Sequence, residues 1–118
     1  MQWIAISGSW RNPSKQVEHD VRITVANIIS TGDGIVTGGA LGVDYFATAE
    51  ALIYDPMASQ IKIILPTPLN IFEEHFLKRA GEGVITHDQA NTLLDQLKRV
   101  KAVNPEALTE MAGCERLV

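Results

Sequence analysis

A chain of 118 residues has room for one domain built on one core, which excludes a multidomain organisation, and 46% hydrophobic with 20% charged residues is far from the composition of a disordered chain. Ten Lys and Arg against 14 Asp and Glu give a net charge of −4, without the basic excess of a protein that holds a phosphate backbone electrostatically. Nucleic acid is therefore an unfavoured partner.

The first residues carry no basic segment, and their apolar stretch is too short for a signal peptide or a membrane span, so a cytoplasmic protein without membrane contact is expected. Residues 2–7 are predicted as a strand. Its continuous apolar run, Trp3, Ile4, Ala5 and Ile6, is what burial on both faces of a parallel sheet demands. A loop follows, Gly8-Ser9-Trp10-Arg11-Asn12. Pro13 then suits the first position of a helix capped by Asn12 or Ser14, with Val17, Val21, Val25, Ile28 and Ile29 on one face and a stop near Gly32. Gly34-Ile35-Val36-Thr37 is a second short strand. It leads through Gly38-Gly39-Ala40-Leu41-Gly42 into a helix over about 43–54, broken by Asp55-Pro56. The β-branched run at 61–65 is a third strand, closed by Pro66-Thr67-Pro68.

This alternation with short connections predicts an α/β fold: a Rossmann-like parallel sheet with flanking helices, in a single domain over 1–118. The remainder is predicted as helical. One segment covers 71–80, a capping box at Thr86-His87-Asp88-Gln89 opens another with Ala90, Leu93, Leu94, Leu97 and Val100 on one face, and Asn104-Pro105 restarts a short helix that Gly113 stops. With three strands only, the sheet is expected to be incomplete, with a bare edge and a pocket lacking one wall. The expectation is that these residues are the N-terminal part of a fuller fold or that a homodimer covers the open side.

Ligands of open parallel sheets sit beyond the carboxyl ends of the strands, and both glycine loops belong there. Gly8, Ser9 and Arg11 offer close backbone approach, a hydroxyl and a guanidinium suited to phosphate, while the Trp10 ring is expected either to pack on the core, the more frequent outcome, or to stack on a base. Gly38, Gly39, Ala40, Gly42 and Val43 bring amides to a helix N-terminus, whose partial positive charge favours an anion. The two loops are expected to meet at one crevice. Asp44, in the first turn, has three candidate roles: complementing the helix dipole, tying the neighbouring loop, or hydrogen-bonding a ribose hydroxyl. It is also the one well-placed carboxylate for acid–base catalysis. Glu50 is expected on a solvated helix face, as are Glu73, Glu74, Lys78 and Arg79, and the three histidines on the surface. No metal site is expected, since no Cys/His cluster has ligand spacing and Cys114 stands alone, and no resident cofactor is expected either. Neither a dinucleotide GxGxxG nor a GxxxxGK[ST] loop is present.

Ile6-Ser7-Gly8-Ser9-Trp10-Arg11, taken with the stretch Gly34-Ile35-Val36-Thr37-Gly38-Gly39-Ala40-Leu41-Gly42-Val43-Asp44-Tyr45-Phe46-Ala47, resembles the SLOG superfamily of Rossmann-like proteins, over about the first 65 residues. That superfamily includes the DNA-processing protein DprA/Smf and the LOG phosphoribohydrolases. The resemblance implies a nucleotide or nucleotide-derived ligand at the crevice. In LOG enzymes the glycine pair belongs to PGGxGTxxE, whereas here Thr37 precedes Gly38-Gly39 and GTxxE does not follow. In DprA-like proteins a His stands four residues after the acid, where this chain has Thr48. The resemblance is thus closest to small stand-alone members, which look like nucleotide sensors or enzymes on nucleotide derivatives. Ligand binding is the first function expected, hydrolysis of an N-glycosidic or phosphoribosyl bond the alternative, and DNA binding is opposed by the charge.

Overall fold

A computed structural model describes residues 1–11 and 13–111. Its elements are β1 (Trp3–Ala5), α1 (Lys15–Ser30), β2 (Gly34–Thr37), α2 (Val43–Tyr54), β3 (Ile61–Leu65), α3 (Leu69–Gly81), α4 (His87–Val103), a 3-10 turn (Pro105–Ala107) and β4 (Leu108–Glu110). All four strands are parallel, in the order β1-β2-β3-β4. The α/β arrangement of parallel strands alternating with helices is Rossmann-like, as the sequence predicts.

Strand order follows chain order without reversal. Right-handed crossovers that always step in one direction leave their helices on one face of the sheet, and the burial pattern agrees. Along β3, Ile61, Ile63 and Leu65 are buried against the helices, while Lys62 and Ile64 point to solvent. In register with the inward residues stand Ile35, Thr37 and Leu108; with the outward ones, Val36 and Thr109. The core is therefore one layer of apolar side chains between sheet and helices, filled by Val25 and Ile29 of α1, Ala47 and Ala51 of α2, Phe72 and Phe76 of α3, and Leu93, Leu97 and Val100 of α4.

Three expectations are corrected. β1 is an edge strand whose residues alternate: Ile4 is half-buried, whereas Trp3 and Ala5 are exposed. An apolar run is compatible with this because Trp3 lies on the bare face across Gly34, its ring 2.5 Å from where a Cβ would stand, with the Lys62 ammonium 4.1 Å from the indole centroid. Second, the segment after Pro105 is no helix. One 3-10 turn leads into β4, where Leu108 pairs with Ile63 and Glu110 with Leu65, so a fourth strand covers the edge of β3. Glu110 then fastens the strand, accepting the Leu69 N–H at 2.7 Å and pairing with Lys101 at 3.0 Å. Gly113 and Cys114 lie outside the described residues. Third, Glu50 is not on a solvated face: its carboxylate meets Arg22 of α1 at 3.2 Å and is only 13% exposed.

Helix limits follow local chemistry. Ser14 caps α1 by accepting the Val17 N–H at 3.1 Å. Thr86 and Gln89 form the predicted capping box of α4, with 3.0 and 2.8 Å bonds. α3 begins two residues earlier than predicted, at Leu69, because Pro68 leads into it and Glu110 accepts its first amide. His19, His75 and His87 are on the surface, as expected.

Candidate functional site

The two glycine loops do meet. Ser9 O accepts the Val43 N–H at 3.3 Å, a Cβ on Gly8 would stand 2.8 Å from Val43 Cγ2, and one on Gly42 would stand 2.5 Å from Ser9 O and 2.7 Å from Trp10 Cα. Gly42 also has φ +72°, so no other residue joins the loops this closely. Gly39 has φ +71° and passes over β3, where a side chain would meet Leu65 Cδ2 at 2.6 Å. The contacts of these glycines within the chain account for them.

Asp44 ties its own loop. Oδ2 accepts the N–H groups of Gly38 and Ala40, both at 3.2 Å, so the acid occupies amides that an outside anion would otherwise reach. Its Oδ1 is buried without a partner, and so is Thr37 Oγ1 at the end of β2. Burial pushes the Asp44 carboxyl above its ordinary value, while the two amides pull it down. At the opposite end of the sheet the buried polar groups are paired: Asp55 accepts from Ser59 and the Gln60 N–H, and the Gln60 amide caps Ile29 O and Asp33 O. Among the described residues, the buried side-chain oxygens without a partner, Thr37 Oγ1 and Asp44 Oδ1, are both at the carboxyl end of β2.

Beside this junction opens a cleft of 320 Å³. The β1–α1 loop contributes Trp10 and Arg11, the β2–α2 loop Ala40 and Leu41, α3 Phe76 and Arg79, and the following turn Val84 and Ile85. The missing wall of the sequence reading is therefore supplied by the α3–α4 hairpin. Trp10 is 40% exposed and does not pack into the core; the Arg11 guanidinium stands 4.8 Å from its centroid. Arg79 stacks on Phe76 at 5.3 Å. Neither arginine forms an ion pair among the described residues, and no acidic side chain lines the cleft.

Among the predicted site residues, the cleft brings together Trp10, Arg11 and Ala40. Gly42 lines a neighbouring hollow. Gly8 and Ser9 are exposed beside it; the Ser9 hydroxyl is turned onto the backbone of Arg11, at 3.2 Å. Gly38 is exposed, Gly39 and Val43 are buried, and Asp44 is 7% exposed and off the cleft wall. Arg79, Phe76, Val84 and Ile85 were not legible as site residues. Arg79 follows Lys78 in an ordinary charged pair, and the one available signal was Val84-Ile85, two apolar residues in a turn between helices. Among the described residues no three His, Cys, Asp or Glu stand together to hold a metal, and no helix is long and apolar enough to cross a membrane. Comparison with family models, with characterised proteins and with solved structures returned no match.

Proposed function

We propose that this protein is a cytoplasmic binding module for a nucleotide or nucleotide-derived small molecule, held in the cleft of Trp10, Arg11 and Arg79, in a sensing role. One observation carries the reading: two guanidinium groups and an exposed indole surround a cleft that no carboxylate lines. Guanidinium groups take phosphate oxygens in pairs, and the indole offers a face to a flat ring. The resemblance of the two loops to the SLOG superfamily supports the same ligand class. The carboxylate that the sequence offers for N-glycosidic hydrolysis, Asp44, is off the cleft wall and engaged with Gly38 and Ala40 instead.

Calorimetric titration with AMP and with adenosine tests the proposal. AMP binds the more tightly of the two, and Arg11→Ala and Arg79→Ala each weaken AMP by about 1.5–3 kcal/mol, the worth of a charge-assisted hydrogen bond. Arg11→Lys loses less than Arg11→Ala. Glu74→Ala, on the exposed side of α3, changes affinity by less than about 0.5 kcal/mol. Equal affinity of AMP for the parent and for both arginine-to-alanine variants removes the phosphate from this cleft.

A further inference from the structure

The cleft continues past Trp10. On its other side lies a hollow of 310 Å³ whose walls include Tyr45, Phe46, Leu93, Asp88, Gln89 and Thr92. The hollow and the arginine cleft share Trp10 and Leu41, and Gln89 also lines the passage between them beside Arg11. The result is one groove with a different chemistry at each end: two guanidinium groups on one side of the indole, a carboxylate among aromatic rings on the other. Asp88 is exposed, makes no ion pair among the described residues, and stands in the first turn of α4. Gln89 Oε1 is committed, accepting the Thr86 N–H at 2.8 Å. That fixes which end of the amide is spent and leaves Nε2 as a donor with no acceptor among the described residues.

We infer that the groove takes a guanine nucleotide, with the phosphate between Arg11 and Arg79 and the base beyond Trp10. This rests on the reading of the cleft as a nucleotide site and adds the identity of the base. Asp88 accepts from the N1–H and the exocyclic N2–H of the ring, and Gln89 Nε2 donates to O6. A carboxylate presents two acceptor oxygens side by side, and guanine presents two adjacent donors to match. Adenine offers one exocyclic amine beside a bare ring nitrogen, so one carboxylate oxygen would face a lone pair. A quaternary ammonium would suit a carboxylate among aromatic rings but makes no use of the Gln89 donor.

Calorimetry on the full chain with GMP, AMP, guanosine and phosphocholine separates the two ideas. The expected result is GMP at least tenfold tighter than AMP and than phosphocholine, with Asp88→Asn bringing GMP to the level of AMP. Because Asp88 is exposed, that variant keeps its fold, and circular dichroism checks it; the preference of the parent protein is in any case read without a variant. Equal binding of GMP and AMP, or phosphocholine binding tightest, overturns the assignment of the base. When either occurs and AMP still loses affinity in Arg11→Ala, the nucleotide reading stands alone. GMP binding no tighter than guanosine, or no binding of any of the four, overturns both.

Discussion

Glycines at positive φ differ in what they cost to replace. Gly32 has φ +87° with nothing within 4 Å of a Cβ, so alanine there meets only backbone strain, about 1 kcal/mol. Gly42, at φ +72° and ψ −126°, adds to its backbone strain a carbonyl oxygen 2.5 Å away that belongs to the facing loop. Gly42→Ala is therefore expected to lose more than Gly32→Ala in urea denaturation, by about 1–3 kcal/mol; equal losses would mean that the loops part easily. Asp44 is a residue with a pH signature. Its folded carboxyl keeps the proton to higher pH than the unfolded value of 3.8, so the native state binds more protons in the window just above that value. The stability it contributes is complete below 3.8 and is lost as pH rises through the folded value. Asp44→Asn is expected to flatten this fall in denaturation curves collected between about pH 3 and 7. A slope unchanged in Asp44→Asn would assign the fall to another group.

At the scale of elements, β4 is the least self-sufficient. It has three residues, it follows a 3-10 turn, and its outer end is held by one carboxylate. Glu110 has its pKa lowered, first by the Leu69 N–H and then by Lys101. The sign is opposite to that of Asp44: the contribution is present above 4.5 and is lost as pH falls through the folded value. Glu110→Gln keeps an acceptor for Leu69 and loses the ion pair, whereas Glu110→Ala loses both. Thermal melts near neutral pH are expected to rank the parent above Gln and Gln above Ala, with the parent approaching Gln in acid. A parent–Gln gap that persists in acid would show that charge is not what fastens β4 to α3. The capping box of α4 makes a separate contribution, and its loss in Thr86→Ala costs about 0.5–2 kcal/mol.

At the scale of the molecule, the described residues cover one face of the sheet and leave the other bare. All-parallel sheets usually bury both; here Trp3, at 38% exposure, and Ile64, at 42%, stand on the open side with the Lys62 stem. Neighbours in sequence should therefore respond oppositely. Ile63→Ala, at a site with no exposure, is expected to cost about 2–5 kcal/mol, and Ile64→Thr less than about 1 kcal/mol. Similar losses at both positions would mean that the open face is covered in solution.

Much of this architecture is local physics and was legible along the chain. The 3.6-residue spacing of Val21, Val25, Ile28 and Ile29, the Thr86 and Gln89 capping pair, and the strand–glycine–helix passages at Gly8 and Gly38 each act within a few residues, so the alternating α/β order and the meeting of the two loops followed from them. Three things did not. Leu108-Thr109-Glu110 has no strand signal of its own; it is extended because the free edge of β3 supplies its partners. The apolar run of β1 does not say whether one or both faces are covered, because that depends on the direction in which each crossover steps. The cleft needed Arg79 and Ile85, more than sixty residues from Arg11, and only packing of α3 and α4 on the common core brings them to the Trp10 side. Sequence determines what each segment can do for itself; which edges, faces and charges confront one another is set by long-range burial, where no single segment holds the information.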